Sequence, residues 1–124
     1  HPWVEAGGVA RPEIPRQHFI LYSRASQTFR VVENYFREEG VVLSAAMELG
    51  SIETIKELVK IGMGISVLAT WIAREELKEG SLVALPLGRR KLRREWGVLY
   101  WKERTLSLPE TEFMKLCREK TKGM

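Results

Sequence analysis

Two hydroxyl residues, Ser51 and Thr70, stand at the points of this chain best suited to chemistry. Each follows an apolar stretch and precedes residues with helical spacing, so each is a candidate helix N-cap. A helix N-terminus leaves backbone N–H groups unpaired and carries partial positive charge. Where two such helices follow strands of one sheet, their N-termini share an edge suited to small anions or polar ligands. These residue types point to binding rather than to bond-making.

Catalytic alternatives find little support. The two histidines, His1 and His18, have no metal-ligand spacing around them. The sequence holds no phosphate loop followed by Lys-Ser/Thr and no serine-hydrolase elbow. The single cysteine, Cys117, falls on the apolar stripe of Phe113 and Leu116 and reads as a small core residue. It has no internal disulfide partner, which fits a reducing cytoplasm. The expectation is a protein that is not an enzyme and holds no metal or cofactor.

The elements that would position the hydroxyls alternate. Residues 19–22 form an apolar run of strand length, and Ser23-Arg24-Ala25-Ser26-Gln27-Thr28 is a polar turn. Phe29, Val32, Tyr35 and Phe36 recur at helical spacing up to Gly40. A strand over residues 41–47 follows. The helix after Ser51 carries its apolar face on Ile52, Ile55, Leu58 and Val59 and closes at Gly62. Residues 65–68 read as a third strand. Thr70 opens a helix to about Lys78 with Trp71, Ile72 and Leu77 facing inward, Gly80 ends it, and residues 82–86 read as a fourth strand.

Strand–helix alternation with short links predicts an α/β fold with a mostly parallel sheet flanked by helices. Ligands of such sheets bind beyond the carboxyl ends of the strands. Here that rim comprises Ser23–Thr28, Leu49–Ser51 and Ala69–Thr70. The pattern then breaks at Arg89, Arg90, Lys91, Arg93 and Arg94, which read either as a solvated turn or as a contact for nucleic acid or an acidic surface. Residues 96–101 read as a late antiparallel strand. Ser107-Leu-Pro-Glu110 is a capping box that starts a last helix.

With 124 residues, 44% hydrophobic and 29% charged, the composition is that of one ordinary globular domain, mildly basic at a net charge of +4. No apolar run approaches the about 18 residues that span a membrane. Residues 1–18 hold Pro2, Pro12 and Pro15 and read as a looped connector. The start at His1 suggests a piece of something longer.

In order along the chain, His1-Pro2, residues 19–22, Ser26-Gln27-Thr28, Glu48-Leu49-Gly50-Ser51, Ile55-Lys56, Val59, Gly62-Met63-Gly64, residues 80–86 and Trp96-Gly97 resemble the effector-binding region of LysR-type transcriptional regulators. The resemblance implies a periplasmic-binding-protein-like (type 2) fold, in which two α/β lobes enclose a cleft. This chain corresponds to the second lobe. It then divides into a connector from a missing first lobe (1–18), the lobe lining the cleft (19–88), and a return strand with a C-terminal helix (89–124). By position, the resemblance implies effector contacts at Ser23, Ser26, Thr28, Leu49, Gly50, Ser51 and Thr70. The implied partner is a small, often anionic effector. DNA would be reached only through a helix-turn-helix absent from this chain, and a cytoplasmic location follows.

Alternatives remain at single residues. Ser26, Thr28 and Ser51 are either plain caps or ligand-lining hydroxyls. Arg24 is either solvated or a bidentate partner for a carboxylate. Glu48 is a cleft contact or a strand-end group that holds neighbouring backbone. Trp96, Tyr100 and Trp101 stack on an effector or pack in a core or lobe interface. A second expectation is a stand-alone binding or interaction module that self-associates through an exposed strand and its C-terminal helix.

Overall fold

Phe19–Tyr22 has too few residues and too many apolar ones for an amphipathic helix, and it forms strand β1 with its first three residues buried. Strand β2, Ala45–Leu49, runs parallel to it. The computed structural model describes residues 1–95 and 97–122. It divides the chain into two units, His1–Arg93 and Arg94–Met124, each described by itself.

Around β1 and β2 lie helices α2 (Gln27–Glu38) and α3 (Ile52–Lys60), followed by a 3-10 turn, Thr70–Ala73, and α4 (Arg74–Glu79). Alternation along β1 divides the core. Phe19 and Leu21 join Phe29, Val32, Tyr35 and Phe36 of α2 in one buried cluster with Trp3, Ile14 and Val41. Ile20 faces the other way, and both it and Ile55 of α3 are fully buried. The rings of Phe19 and Phe36 meet edge-on at 6.1 Å between centroids. The three helix-ending glycines take the left-handed conformation expected of them: φ is 69° at Gly40, 80° at Gly62 and 76° at Gly80.

The sheet is smaller than the alternation predicts. Among the described residues only β1 and β2 form a ladder, and residues 65–68 touch it through a single parallel bridge, Phe19 to Ile65. Past that bridge a parallel ladder would bring the Val67 amide to the Ile20 carbonyl; there the Ser66 hydroxyl donates to that carbonyl at 2.7 Å. Residues 82–86 form no strand among the described residues; of the late antiparallel strand expected over 96–101, residues 97–101 show no ladder among the described residues, and Trp96 lies outside them. A strand needs a neighbour, and these segments have none there.

Two further expectations are corrected. The N-terminal segment is folded onto the core rather than looped. Pro2 opens helix α1 (Pro2–Glu5), where a missing N–H costs nothing, and Arg11–Arg16 is a 3-10 helix. Trp3 is buried, with its indole N–H donating to Glu13 at 2.8 Å. Thr70 caps nothing: it lies inside the 3-10 turn, whose N-cap is Ala69, and Trp71 is 45% exposed rather than inward.

In the second unit the capping box forms. Glu110 accepts from the Ser107 amide and hydroxyl, both at 2.8 Å, at the start of α5 (Leu108–Lys120). No residue of α5 is buried. Leu108, Phe113 and Leu116 of its apolar stripe are exposed, as are Leu99 and Trp101.

Candidate functional site

The rim at the carboxyl ends of β1 and β2 is closed by backbone pairing. Tyr22 pairs with Leu49, and the ladder continues one step further, the Ser23 amide donating to the Leu49 carbonyl at 3.0 Å. The turn after β1 and the turn after β2 therefore leave the sheet side by side. The register slips by one residue between Phe19 and Ile20, which sets Leu21 opposite Glu48 and Tyr22 opposite Leu49.

The first turn is tied internally. The Ser23 carbonyl accepts from the Ser26 amide at 2.9 Å, and its hydroxyl accepts from the Ala25 amide at 3.4 Å. Ser26 is the N-cap of α2, its hydroxyl accepting from the Phe29 amide at 3.0 Å. Thr28 is the second residue of that helix and is half-buried. In the second turn Gly50 is exposed, and a Cβ there would meet open space. Ser51 caps α3, its hydroxyl accepting from the Thr54 amide at 3.3 Å. Six of the seven sequence-assigned residues thus lie in or directly beside two adjacent turns. Thr70 belongs to a third. It follows the segment that leaves Ile65 parallel to β1 and is exposed, and among the described residues no hydrogen bond joins its side chain to the other two turns.

Between the two turns runs an ion pair that the sequence shows only as two separate residues. The Arg24 Nε donates to Glu48 Oε1 at 2.6 Å, and the Arg24 backbone amide donates to Glu48 Oε2 at 3.3 Å. One carboxylate thus holds both the side chain and the main chain of the turn. Hydrogen bonding to Arg24 depresses the Glu48 pKa, and the same bond raises that of Arg24, with a smaller contribution from Glu33. The guanidinium also lies 5.3 Å from the centre of the Phe29 ring. Its side chain is 63% exposed, so the cation faces solvent at the rim. Tyr22, at the end of β1, has its phenol pKa raised by burial and then by Glu53 in the first turn of α3.

Within the basic run Arg90 has a structural role. Arg90 pairs with Glu38 and with Glu39 (2.9 Å), donates to the Tyr35 carbonyl at 2.9 Å and stacks 4.4 Å from the Tyr35 ring centre. It closes the C-terminal end of α2, where cations are favoured. Arg89, Lys91 and Arg93 are exposed. A shallow depression along α5, lined by Leu106, Met114 and Arg118 among others, belongs to the second unit and shares no residue with the rim. No group of three or more His, Cys, Asp or Glu among the described residues is arranged to hold a metal, and no helix there is long and apolar enough to cross a membrane.

Comparison with known proteins agrees with this architecture. The family described as LysR substrate binding domain matches residues 1–122. A RuBisCO operon transcriptional regulator of Acidithiobacillus ferrooxidans is 32% identical over 115 residues, 93% of this chain and 37% of that protein. The HTH-type transcriptional regulator CfxR of Cupriavidus necator is 34% identical over 107 residues, covering 86% and 34%. The HTH-type transcriptional activator CmpR of Synechocystis is 29% identical over 114 residues, covering 92% and 38%. The chain spans less than two fifths of the length of each of these relatives.

Proposed function

This chain belongs to the LysR substrate-binding-domain family, and on that premise we propose that it is the effector-sensing part of a transcriptional regulator, binding a small anionic metabolite at the rim of β1 and β2. The family implies a periplasmic-binding-protein-like fold. In this reading the chain is a second lobe, with residues 1–18 entering from a first lobe and 89–124 returning to it. It performs no catalysis and needs no cofactor. DNA is contacted by a helix-turn-helix elsewhere in a cytoplasmic regulator.

The observation that carries the proposal is the Ser23 to Leu49 backbone bond. It sets two serine-capped helix starts, at Ser26 and Ser51, beside one another at one edge. Ser23, Ser26, Thr28, Leu49, Gly50 and Ser51 supply hydroxyls, amides and an open glycine there, and Arg24 supplies a cation. Thr70 extends the site from the third turn. The effector acts by favouring one arrangement of the regulator over another, to the extent of its differential affinity for the two.

Thermal unfolding of this chain against a panel of small carboxylated and phosphorylated metabolites tests the reading. A bound effector at about 100 times its Kd stabilises by about 2.7 kcal/mol. At least one anionic compound should raise the midpoint while its uncharged analogue does not. A panel that leaves the midpoint unmoved defeats the proposal.

A second reading rests on the second unit. Leu99 (97% exposed), Trp101, Leu108, Phe113 and Leu116 form more uncovered apolar surface than such a short segment ordinarily leaves in water. Self-association that covers these residues is the function this surface supports.

A further inference from the structure

Glu48 presents a carboxylate where the proposed effector must present one. Its two oxygens are divided between the Arg24 Nε at 2.6 Å and the Arg24 backbone amide at 3.3 Å. The side chain that supplies them comes from β2, whereas both donors belong to the turn after β1. Nothing in the packing requires this contact: the two side chains are 63% and 34% exposed, and an exposed ion pair contributes little to folding. A structural role is therefore a weak explanation for a two-point grip. The grip has a different consequence. The guanidinium is the one side-chain cation in the two serine-containing turns, and it is neutralised while Glu48 holds it.

We propose that Glu48 is a built-in competitor for the rim's anion site: it occupies Arg24 in the unliganded chain, and an anionic ligand takes Arg24 from it, releasing the Glu48 side chain while the Ser23 to Leu49 backbone bond keeps the turn beside β2. This rests on the reading of the rim as an anion-binding site and names its specificity-determining residue and its regulation. A carboxylate or phosphate replaces the Glu48 oxygens on the same two donors, so ions with two acceptor oxygens in fork geometry are selected over halides. The intramolecular carboxylate sets a threshold. A site closed nine times in ten binds about tenfold more weakly than the open one.

The test follows the Arg24 backbone amide and Nε–H resonances of the isotope-labelled chain during titration with inorganic phosphate and, separately, malonate, with chloride at matched ionic strength as reference. Expected are shifts of both Arg24 signals with phosphate or malonate and none with chloride. Glu48→Gln should bring the midpoint to about tenfold lower concentration, and Arg24→Gln should abolish it. The amide spectra report at once whether each variant is folded, and both replaced side chains face solvent. An unchanged or weaker midpoint in Glu48→Gln overturns the competitor role. If the Ser26 and Ser51 amides shift while Arg24 does not, the competitor role also fails, but the rim as a ligand site survives. If neither the wild-type chain nor Glu48→Gln responds anywhere on the rim, both readings fall together.

Discussion

Gly64 lies directly against the His18 carbonyl: a Cβ at Gly64 would sit 2.3 Å from that oxygen and 3.2 Å from Ile20 Cγ1. The approach exists because the Ile65 amide donates to the same carbonyl at 2.9 Å, drawing residues 64–65 onto the start of β1. The obstacle is main chain, so it does not swing aside. Gly64→Ala should lower stability by about 1–3 kcal/mol through overpacking, read from urea unfolding. Gly50→Ala is the control, since its Cβ meets nothing within 4 Å; a change there equal to that at Gly64 would contradict the steric account.

The caps separate stability from binding. Ser26→Ala and Ser51→Ala each remove an acceptor from a helix-start amide and should cost about 0.5–2 kcal/mol, whereas Ser51→Gly should cost only a few tenths. If Ser51 also lines the site, Ser51→Gly weakens anion binding while nearly preserving the unfolding midpoint. Equal binding by Ser51→Gly and wild type would leave Ser51 a cap alone.

Acid should weaken the fold through its paired carboxylates. Glu76 is held below the ordinary 4.5 chiefly by its hydrogen bond from Lys56, and Glu110 by the Ser107 amide. A depressed folded-state pKa contributes stability that is present above the unfolded value and lost as pH falls through the folded one. Unfolding midpoints should therefore stay level above pH 4.5 and decline below it. Glu76→Gln should flatten part of that decline. A chain whose midpoint rises on acidification from pH 5 to 3 would contradict the assignment.

Lys56 and Glu76 join α3 to α4 at 2.7 Å, with side chains only 15% and 12% exposed. Lys56→Met alone leaves the shielded Glu76 carboxylate with only the more distant Lys60, at 4.0 Å, and should destabilise more than Lys56→Met with Glu76→Leu together. A double-mutant cycle by urea unfolding measures the coupling. Additive effects would show that the pair is not a unit.

The exposed apolar residues of the second unit predict concentration-dependent association. Light scattering should show a molar mass that rises with concentration, and Leu99→Lys with Phe113→Lys should return it to one chain. A strictly monomeric wild-type chain at high concentration would remove this surface as a self-association site.

The sequence determined the local part of this protein. Spacing at Phe29, Val32, Tyr35 and Phe36, hydroxyls at Ser26 and Ser51, the Ser107 to Glu110 box and the glycines at 40, 62 and 80 carry their meaning within one or two turns of chain, and each forms as its pattern predicts. Pairing is another matter. Whether residues 65–68, 82–86 or 97–101 become strands depends on which backbone reaches them, and an apolar run does not name its neighbour. The Ser66 hydroxyl on the Ile20 carbonyl and the register slip beside Phe19 arise between residues far apart in sequence. That slip sets Glu48 opposite Leu21, so only the tertiary structure decided that Glu48 would close on Arg24.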